Sequence, residues 1–243
     1  MSDRFYSPSP ISTERVTLDG PEAHHLLHVM RAAIGESVTL FDNSGAEFPA
    51  VIEKLARATI DVRIVERVEI NRELPFPLAV GVALPKGDRQ KWLVEKLTEL
   101  GVTVLVPLAT TRGVAQPTDS ALERLERAVI EAAKQCGRNR LMQIAKRQSW
   151  TDWISPTTSI AGDSQSPGFL RLLAHPGGTR LAELDRNSPI QSAAVTIGPE
   201  GGITDAEVAA AIAAGWQSVD LGPRILRVET AAIALTAAIA LRL

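Results

Sequence analysis

The chain has 243 residues, a formal net charge of −2, 45% hydrophobic and 22% charged residues. That is enough apolar surface for one large or two small cores, and it excludes a globally basic nucleic-acid coat, so any RNA contact must come from a local patch. A single cysteine, Cys136, excludes an internal disulfide framework and suits a reducing cytosol.

The start, Met1-Ser2-Asp3-Arg4-Phe5-Tyr6, has no apolar core of signal-peptide type. Arg15 to Glu69 reads mostly as β-structure, with Val-, Ile- and Thr-rich runs at Glu36–Asp42, Glu47–Lys54 and Thr59–Val68. Asn43-Ser44-Gly45 supplies a hairpin turn and Ala56-Arg57-Ala58 the next one. A short helix is predicted over Pro21 to Ala32, with Pro21 at N1 and Leu27 and Met30 facing inward. His24 and His28 share a helical face, but His-His-x-x-His lacks the glutamate of a zinc protease and no second ligand cluster appears. These histidines read as surface or packing residues, and no metal is expected.

Asn71 to Pro77, containing Pro75-Phe76-Pro77, reads as a linker, which divides the chain into 1–72 and 73–243. After it, strands alternate with helices as in an α/β domain. Leu78–Leu84 is an apolar strand, Arg89 to Leu100 a helix with Leu93, Leu97 and Leu100 on one face, and Val102–Val106 the next strand. Ser120 to Cys136 is a helix with a Ser120/Glu123 capping box and a stripe of Leu122, Leu125, Val129, Ala132 and Ala133. Lys134 to Arg147 holds five basic residues and no acidic one, the best local phosphate footprint in the chain. Trp150 and Trp153, three apart, read as packing rather than base-stacking residues, and Cys136 as a packed thiol. Phe169–Ala174 is a strand ending in His175-Pro176.

The most informative stretch is Ala193 to Leu243. A strand (Ala193–Ile197) runs into Gly198-Pro199-Glu200-Gly201-Gly202 and a helix capped by Thr204 and Glu207. A second strand (Gln217–Leu221) runs into Gly222-Pro223-Arg224-Ile225-Leu226-Arg227-Val228-Glu229-Thr230 and an Ala-rich helix. Glycine-bearing loops at the carboxyl ends of α/β strands are where ligands bind. Arginines there suit an anion or a developing negative charge. The apolar run Ala231 to Leu241 is too short to span a bilayer and reads as a helix buried on several sides, subunit contact included. Pro85-Lys86-Gly87-Asp88, after the first strand of this domain, is no Gly-x-Gly-x-x-Gly, which argues against a dinucleotide enzyme or a Rossmann-type methyltransferase.

Ile197–Gly202 and Leu221–Ala231 resemble the two signature loops of the bacterial 16S rRNA uridine-N3 methyltransferases, S-adenosylmethionine-dependent enzymes of the SPOUT class. Lys86-Gly87-Asp88, the run from Glu95 to Val102, Gln135–Arg140, the histidine helix and Arg4-Phe5-Tyr6 are similar to further segments of that family. The resemblance implies a PUA-like β-barrel RNA-binding domain at 1–72 and a SPOUT α/β domain with a trefoil knot at 73–243. It implies a cytoplasmic homodimer acting on 16S rRNA of the small ribosomal subunit, with S-adenosyl-L-methionine as cofactor and neither metal nor membrane. The cofactor contacts it implies are His175, Ile197, Gly198, Pro199, Glu200, Gly201, Gly202, Leu221, Gly222, Arg224, Ile225, Leu226, Thr230 and Ala231. RNA contacts fall to Arg4, Tyr6, Arg31, Lys86, Arg138, Asn139 and Arg140, and catalytic candidates are Arg138, Arg227, Glu200 and Glu229. The arginines would stabilise charge on the uracil carbonyls; either glutamate would be a base or orient an arginine. Val228 stands where the family often has Thr, and Val114–Ala121 departs from its pattern. Two other readings stay open: a SPOUT enzyme for another RNA position or a 2′-hydroxyl, and a non-catalytic RNA-binding protein.

Overall fold

The computed structural model describes residues 4–113, 118–155, 168–184 and 188–241. Part of the divergent stretch Val114–Ala121, residues 114–117, lies outside them. The chain forms two compact units, Met1–Glu73 with Ile130–Leu141, and Leu74–Val129 with Met142–Leu243.

The first unit is a six-stranded sheet of β1 (Arg4–Tyr6), β2 (Arg15–Leu18), β3 (Ser37–Phe41), β4 (Ala46–Leu55), β5 (Ile60–Ile64) and β6 (Val68–Glu69). Its order is β1-β3-β4-β5-β2, with β6 on β4. Only β1 and β3 pair in parallel; the other pairs are antiparallel. Alternation along β4 and β5 sends Phe48, Ala50, Ile52, Ile60 and Val62 into one core. Asn43 and Gly45, both at positive φ, make the β3–β4 turn.

In place of one helix over Pro21–Ala32, α1 (Gly20–His24) continues into a π-helical segment, His25–Met30. The wider turn closes at Arg31, which adopts left-handed backbone (φ 57) and returns its amide to the Leu26 carbonyl. Leu26 is buried, Leu27 and Met30 pack partly against the core, and His24 and His28 stay exposed with ring centroids 4.7 Å apart.

The helix α3 (Asp119–Cys136) starts earlier than the sequence pattern predicts. Its first turn is capped by Thr118, whose Oγ1 accepts from the Ala121 amide at 3.3 Å, while Ser120 is already helical with its hydroxyl 3.1 Å from that of Thr118. This displaces the expected Ser120/Glu123 box. Leu125, Ala128, Val129, Ala132 and Ala133 are its buried residues; Leu122 is only half-buried.

Residues 130–141, which sequence order puts in the second segment, cluster with the first unit and are held there by arginine–carboxylate centres. Glu47, 8% exposed, accepts from Arg4 at 2.5 Å and from Arg72. Burial pushes its carboxyl up, but the two guanidiniums outweigh that and hold it below its ordinary value. Arg4 also donates to Asn139 Oδ1 at 2.5 Å, and Asn139 donates to the carbonyls of Gly45 and Ile70. Arg138, 3% exposed, grips Glu73 through Nε at 3.1 Å and Nη2 at 2.5 Å.

The second unit is an all-parallel sheet. Its strands are β7 (Leu78–Val82), β8 (Val104–Ala109), β9 (Gln143–Ile144), β10 (Gln148–Ser149), β11 (Phe169–Arg180), β12 (Ser192–Ile197) and β13 (Gln217–Asp220). The order is β10-β8-β7-β12-β11-β13, with β9 on β8. β7 and β12 are buried at every residue, as expected of central parallel strands covered on both faces. The covering helices are α2 (Arg89–Glu99), α4 (Trp150–Ile154), α5 (Asp205–Ala213) and α6 (Val228–Ala240). β8 begins later than Val102 because the Val102 amide is spent on the Leu97 carbonyl, closing α2. β11 outruns its predicted end at Ala174 by pairing onward with β13 after a register shift between Ala174 and Thr179. Trp150 and Trp153 are buried and donate to the Glu207 carbonyl and to Thr196 Oγ1, so both pack rather than stack on bases. Among the described residues no helix is long and apolar enough to cross a membrane.

Truncating Arg138 would strand the Glu73 carboxylate in a largely buried site. Arg138→Ala is expected to destabilise the first unit by about 3 kcal/mol, read as a lowered urea midpoint. The double change Arg138→Met with Glu73→Leu should cost less, because no charge is then left without its partner.

Candidate functional site

Parallel pairing fixes where the loops of the second unit leave the sheet. Ala174 of β11 lies opposite Ile197 of β12 on one side and Val219 of β13 on the other. The register break after Ala174 within β11 and the ends of β12 and β13 therefore lie at one level. A cavity of about 260 Å³ occupies that level, between His175-Pro176, the Gly198–Gly202 turn and the loop from Leu221 to Leu226, with Val228 and Ala231 of α6 as a further wall. Its lining is mostly apolar, with His175, Glu200, Asp220 and Arg224 as the polar side chains among the lining residues.

The turns are shaped by specific groups. A Cβ on Gly198 would sit 2.4 Å from Ile203 Cγ1, so no side chain fits there while Ile203 seals the cavity wall. Gly222 has φ +110, a conformation open to glycine, and a Cβ on it would meet nothing within 4 Å. Asp220 fastens two of the loops together: Oδ1 accepts from the Gly222 amide at 2.7 Å and Oδ2 from the Gly177 amide at 3.1 Å. These two amides, Gly222 first, hold its carboxyl below the usual range.

A second fastening joins the turn after β12 to α6. Arg89, at the start of α2, contacts Glu200 at 3.1 Å and Glu229 at 3.5 Å. Glu229 is buried, and its Oε2 lacks a hydrogen bond, so its contact with Arg89 is an ion pair without a formed hydrogen bond. Both glutamates thus lie within ion-pair distance of one arginine, Arg89. A third fastening is Glu207, 8% exposed. Its Oε2 accepts from the Thr204 amide at 2.9 Å, completing the expected capping box, and Oε1 accepts from the Thr111 amide at 2.8 Å and the Thr111 hydroxyl at 3.0 Å.

Of the cofactor positions picked from sequence, His175, Ile197, Gly198, Pro199, Glu200, Gly202, Leu221, Gly222, Arg224, Ile225, Leu226 and Ala231 line the cavity. Gly201 belongs to the same turn, and Thr230 is exposed on the first turn of α6. Arg227 is the N-cap residue of α6, between the lining residues Leu226 and Val228. Glu229 does not line the cavity. Of the RNA positions, Arg31, Lys86 and Arg140 are exposed, Arg4 and Tyr6 are half-buried, and Arg138 and Asn139 are buried in the first unit. Sequence reasoning missed Arg89, Asp220 and the reach of Glu207 to Thr111. Asp220 was detectable, since Asp-Leu-Gly lets the aspartate accept from the amide two residues on. Arg89 and Thr111 carry no such local signal. No group of three or more metal-ligating side chains occurs among the described residues.

A cavity lined by three loops of a parallel sheet, in a chain that also folds a separate β-sheet unit, is an arrangement suited to a two-domain enzyme. A family model described as RNA methyltransferase domain matches residues 72–240, and one described as RNA methyltransferase PUA domain matches 18–65. The chain is 36% identical over 231 residues to ribosomal RNA small subunit methyltransferase E of Synechocystis sp., covering 93% of this chain and 72% of that protein. The Bacillus subtilis protein of the same name is 28% identical, covering 92% and 88%. A crystal structure of the Neisseria gonorrhoeae protein of that name, bound to S-adenosyl methionine, superposes with a TM-score of 0.85 at 28% identity, covering 100% of this chain and 98% of that one. The chain belongs to the ribosomal RNA small subunit methyltransferase E family.

The Glu207 fastening has a pH signature. Burial pushes its carboxyl up, but the amides of Thr111 and Thr204 and their hydroxyls outweigh it, so the folded value lies below the ordinary 4.5. The unfolded chain then binds the extra proton, and the stabilisation is complete above about pH 4.5 and lost as pH falls through the lower folded value. Thermal midpoints should drop through this acid range, and Glu207→Gln should flatten the drop; equal slopes in the two proteins would remove Glu207 as its source.

Proposed function

We propose that the chain transfers the methyl group of S-adenosylmethionine to N3 of a uridine in 16S rRNA of the small ribosomal subunit. The observation that carries this reading is the cavity at the level where β11 breaks and β12 and β13 end, in a chain of the methyltransferase family. Its composition fits the cofactor. The aliphatic walls at Ile197, Leu221 and Leu226 suit the faces of an adenine, and the turns at Gly198 and Gly222 offer main-chain partners for a nucleoside. Asp220 puts negative charge beside a cation.

When bound, the sulfonium supplies an activated methyl group. The protein's task is then the acceptor, whose N3–H gives up its proton only well above neutral pH. Arg227, at the mouth of α6, is the group for negative charge on the uracil carbonyls. The Arg138 guanidinium is committed to Glu73 within the first unit, so we give it a holding role there instead. Of the two glutamates that share Arg89, Glu200 lines the cavity and Glu229 does not, so Glu200, with Arg89 as its partner, is our candidate for the N3 proton.

The remaining features of the reading have their own support. Trp92 on α2, Ile225 before α6 and Leu241 at its end are exposed apolar residues, 46%, 96% and 61% accessible, as expected of a homodimer face. After leaving the edge strand β13, the chain returns inward so that α6 packs on β12, β7 and α2, which is consistent with the knotted path of the SPOUT class. Arg31 and Arg140 are exposed cations of the PUA-type unit, suited to RNA, and an rRNA substrate puts the enzyme in the cytoplasm.

Calorimetry with S-adenosylmethionine should give heat, and mass mapping of rRNA methylated by the protein should find one new methyl group on N3 of a uridine. A methyl group on a ribose or another base atom would replace the N3 assignment, and no heat would remove the enzyme reading. Asp220→Ala, which frees both loop amides, should weaken the cofactor by about tenfold. The protein should elute at twice its 26.1 kDa, and Trp92→Glu should shift it toward the monomer.

A further inference from the structure

On another side of the Pro199-Glu200-Gly201 turn lies a second cavity of about 320 Å³, also within the second unit. Its floor is apolar: Ala83, Leu84 and Leu108 are all buried. Its rim carries two cations, Lys86 and Arg112, both exposed. Among the described residues neither has a carboxylate within ion-pair distance, although the chain as a whole is slightly acidic. Glu200 also lines this cavity, but Arg89 already takes up its charge at 3.1 Å.

Arg112 is held in place rather than left to sweep through solvent. Its Nη1 donates to the Gly201 carbonyl at 3.0 Å, and the turn that bears it is pinned through Thr111 to Glu207. One such contact leaves most of the five guanidinium donors unspent. An apolar floor under a rim of two cations without carboxylate partners among the described residues, one of them held in place, is the chemistry that receives a nucleotide: a flat base face below and phosphodiester oxygens above.

We propose that this second cavity is the acceptor site, taking one nucleotide of single-stranded RNA with Lys86 and Arg112 on its backbone phosphates. The turn Pro199-Glu200-Gly201 is then the wall shared with the methyl donor, which places acceptor and donor side by side. This inference rests on the methyltransferase reading above.

The test is the salt dependence of binding to a fluorescein-labelled, uridine-containing single-stranded RNA, measured by anisotropy alongside calorimetry with S-adenosylmethionine. Each phosphate contact with a single strand contributes about 0.7 to the slope of log affinity against log salt. Lys86→Ala removes no intramolecular partner and should lower the slope by about 0.7. With Arg112→Ala added, the loss should be about 1.4, or roughly 25-fold in affinity at about 0.1 M salt. The charge-preserving pair Lys86→Arg with Arg112→Lys should restore most of it. Slopes equal to the wild type, with cofactor heat retained, would overturn the acceptor assignment alone. Absence of cofactor heat in the wild type would remove the methyltransferase reading and this inference with it.

Discussion

Everything at the site follows from β11 being paired in parallel on both edges. Because Ala174 stands level with Ile197 and with Val219, the break within β11 and the carboxyl ends of β12 and β13 open side by side, and β11 cannot slide without breaking two ladders. Sliding β11 would also carry Leu172 and Leu173 out of their buried places. The loops can therefore be irregular and rich in glycine while their starting points stay fixed.

What the ladders leave undetermined is the path of each loop beyond the strand, and carboxylates settle it. Asp220 ties the turn after β13 to the turn within β11, Glu207 ties the turn after β8 to the start of α5, and Glu200 and Glu229 share Arg89. In the first two cases the partners are backbone amides, which cannot be satisfied by another rotamer and so define one loop conformation. In the third the partner is a long side chain, so the link between the turn after β12 and α6 is the more adjustable one.

The sequence makes some of this legible. Val195 and its neighbours read as a buried strand, and Thr204 with Glu207 reads as a cap, because period and spacing are local properties. The π-helical segment at His25–Met30 escapes such a reading, since one extra residue per turn leaves the apolar pattern looking like a frayed α-helix. Thr118 displaces Ser120 as the cap because the choice between neighbouring hydroxyls depends on the direction from which the chain enters. The cavity wall was legible residue by residue through the loop resemblance, whereas Arg89 and Arg112 act through partners more than eighty positions away. No local window contains that information.

The arginines show the same limit in sharper form. With 26 basic and 28 acidic side chains, the chain offers nearly every cation a possible carboxylate, and burial decides which pairs form. Arg4 and Arg138 look in sequence like RNA contacts, yet Glu47, which Arg72 also reaches, and Glu73 take them up inside the first unit. A desolvated guanidinium must keep its partner, because leaving it would strand two charges in a poor solvent. Such a residue is not available to a phosphate that comes and goes. A recognition surface has to draw instead on cations that folding leaves exposed, as it leaves Arg31 and Arg140 in the first unit and Lys86 and Arg112 in the second.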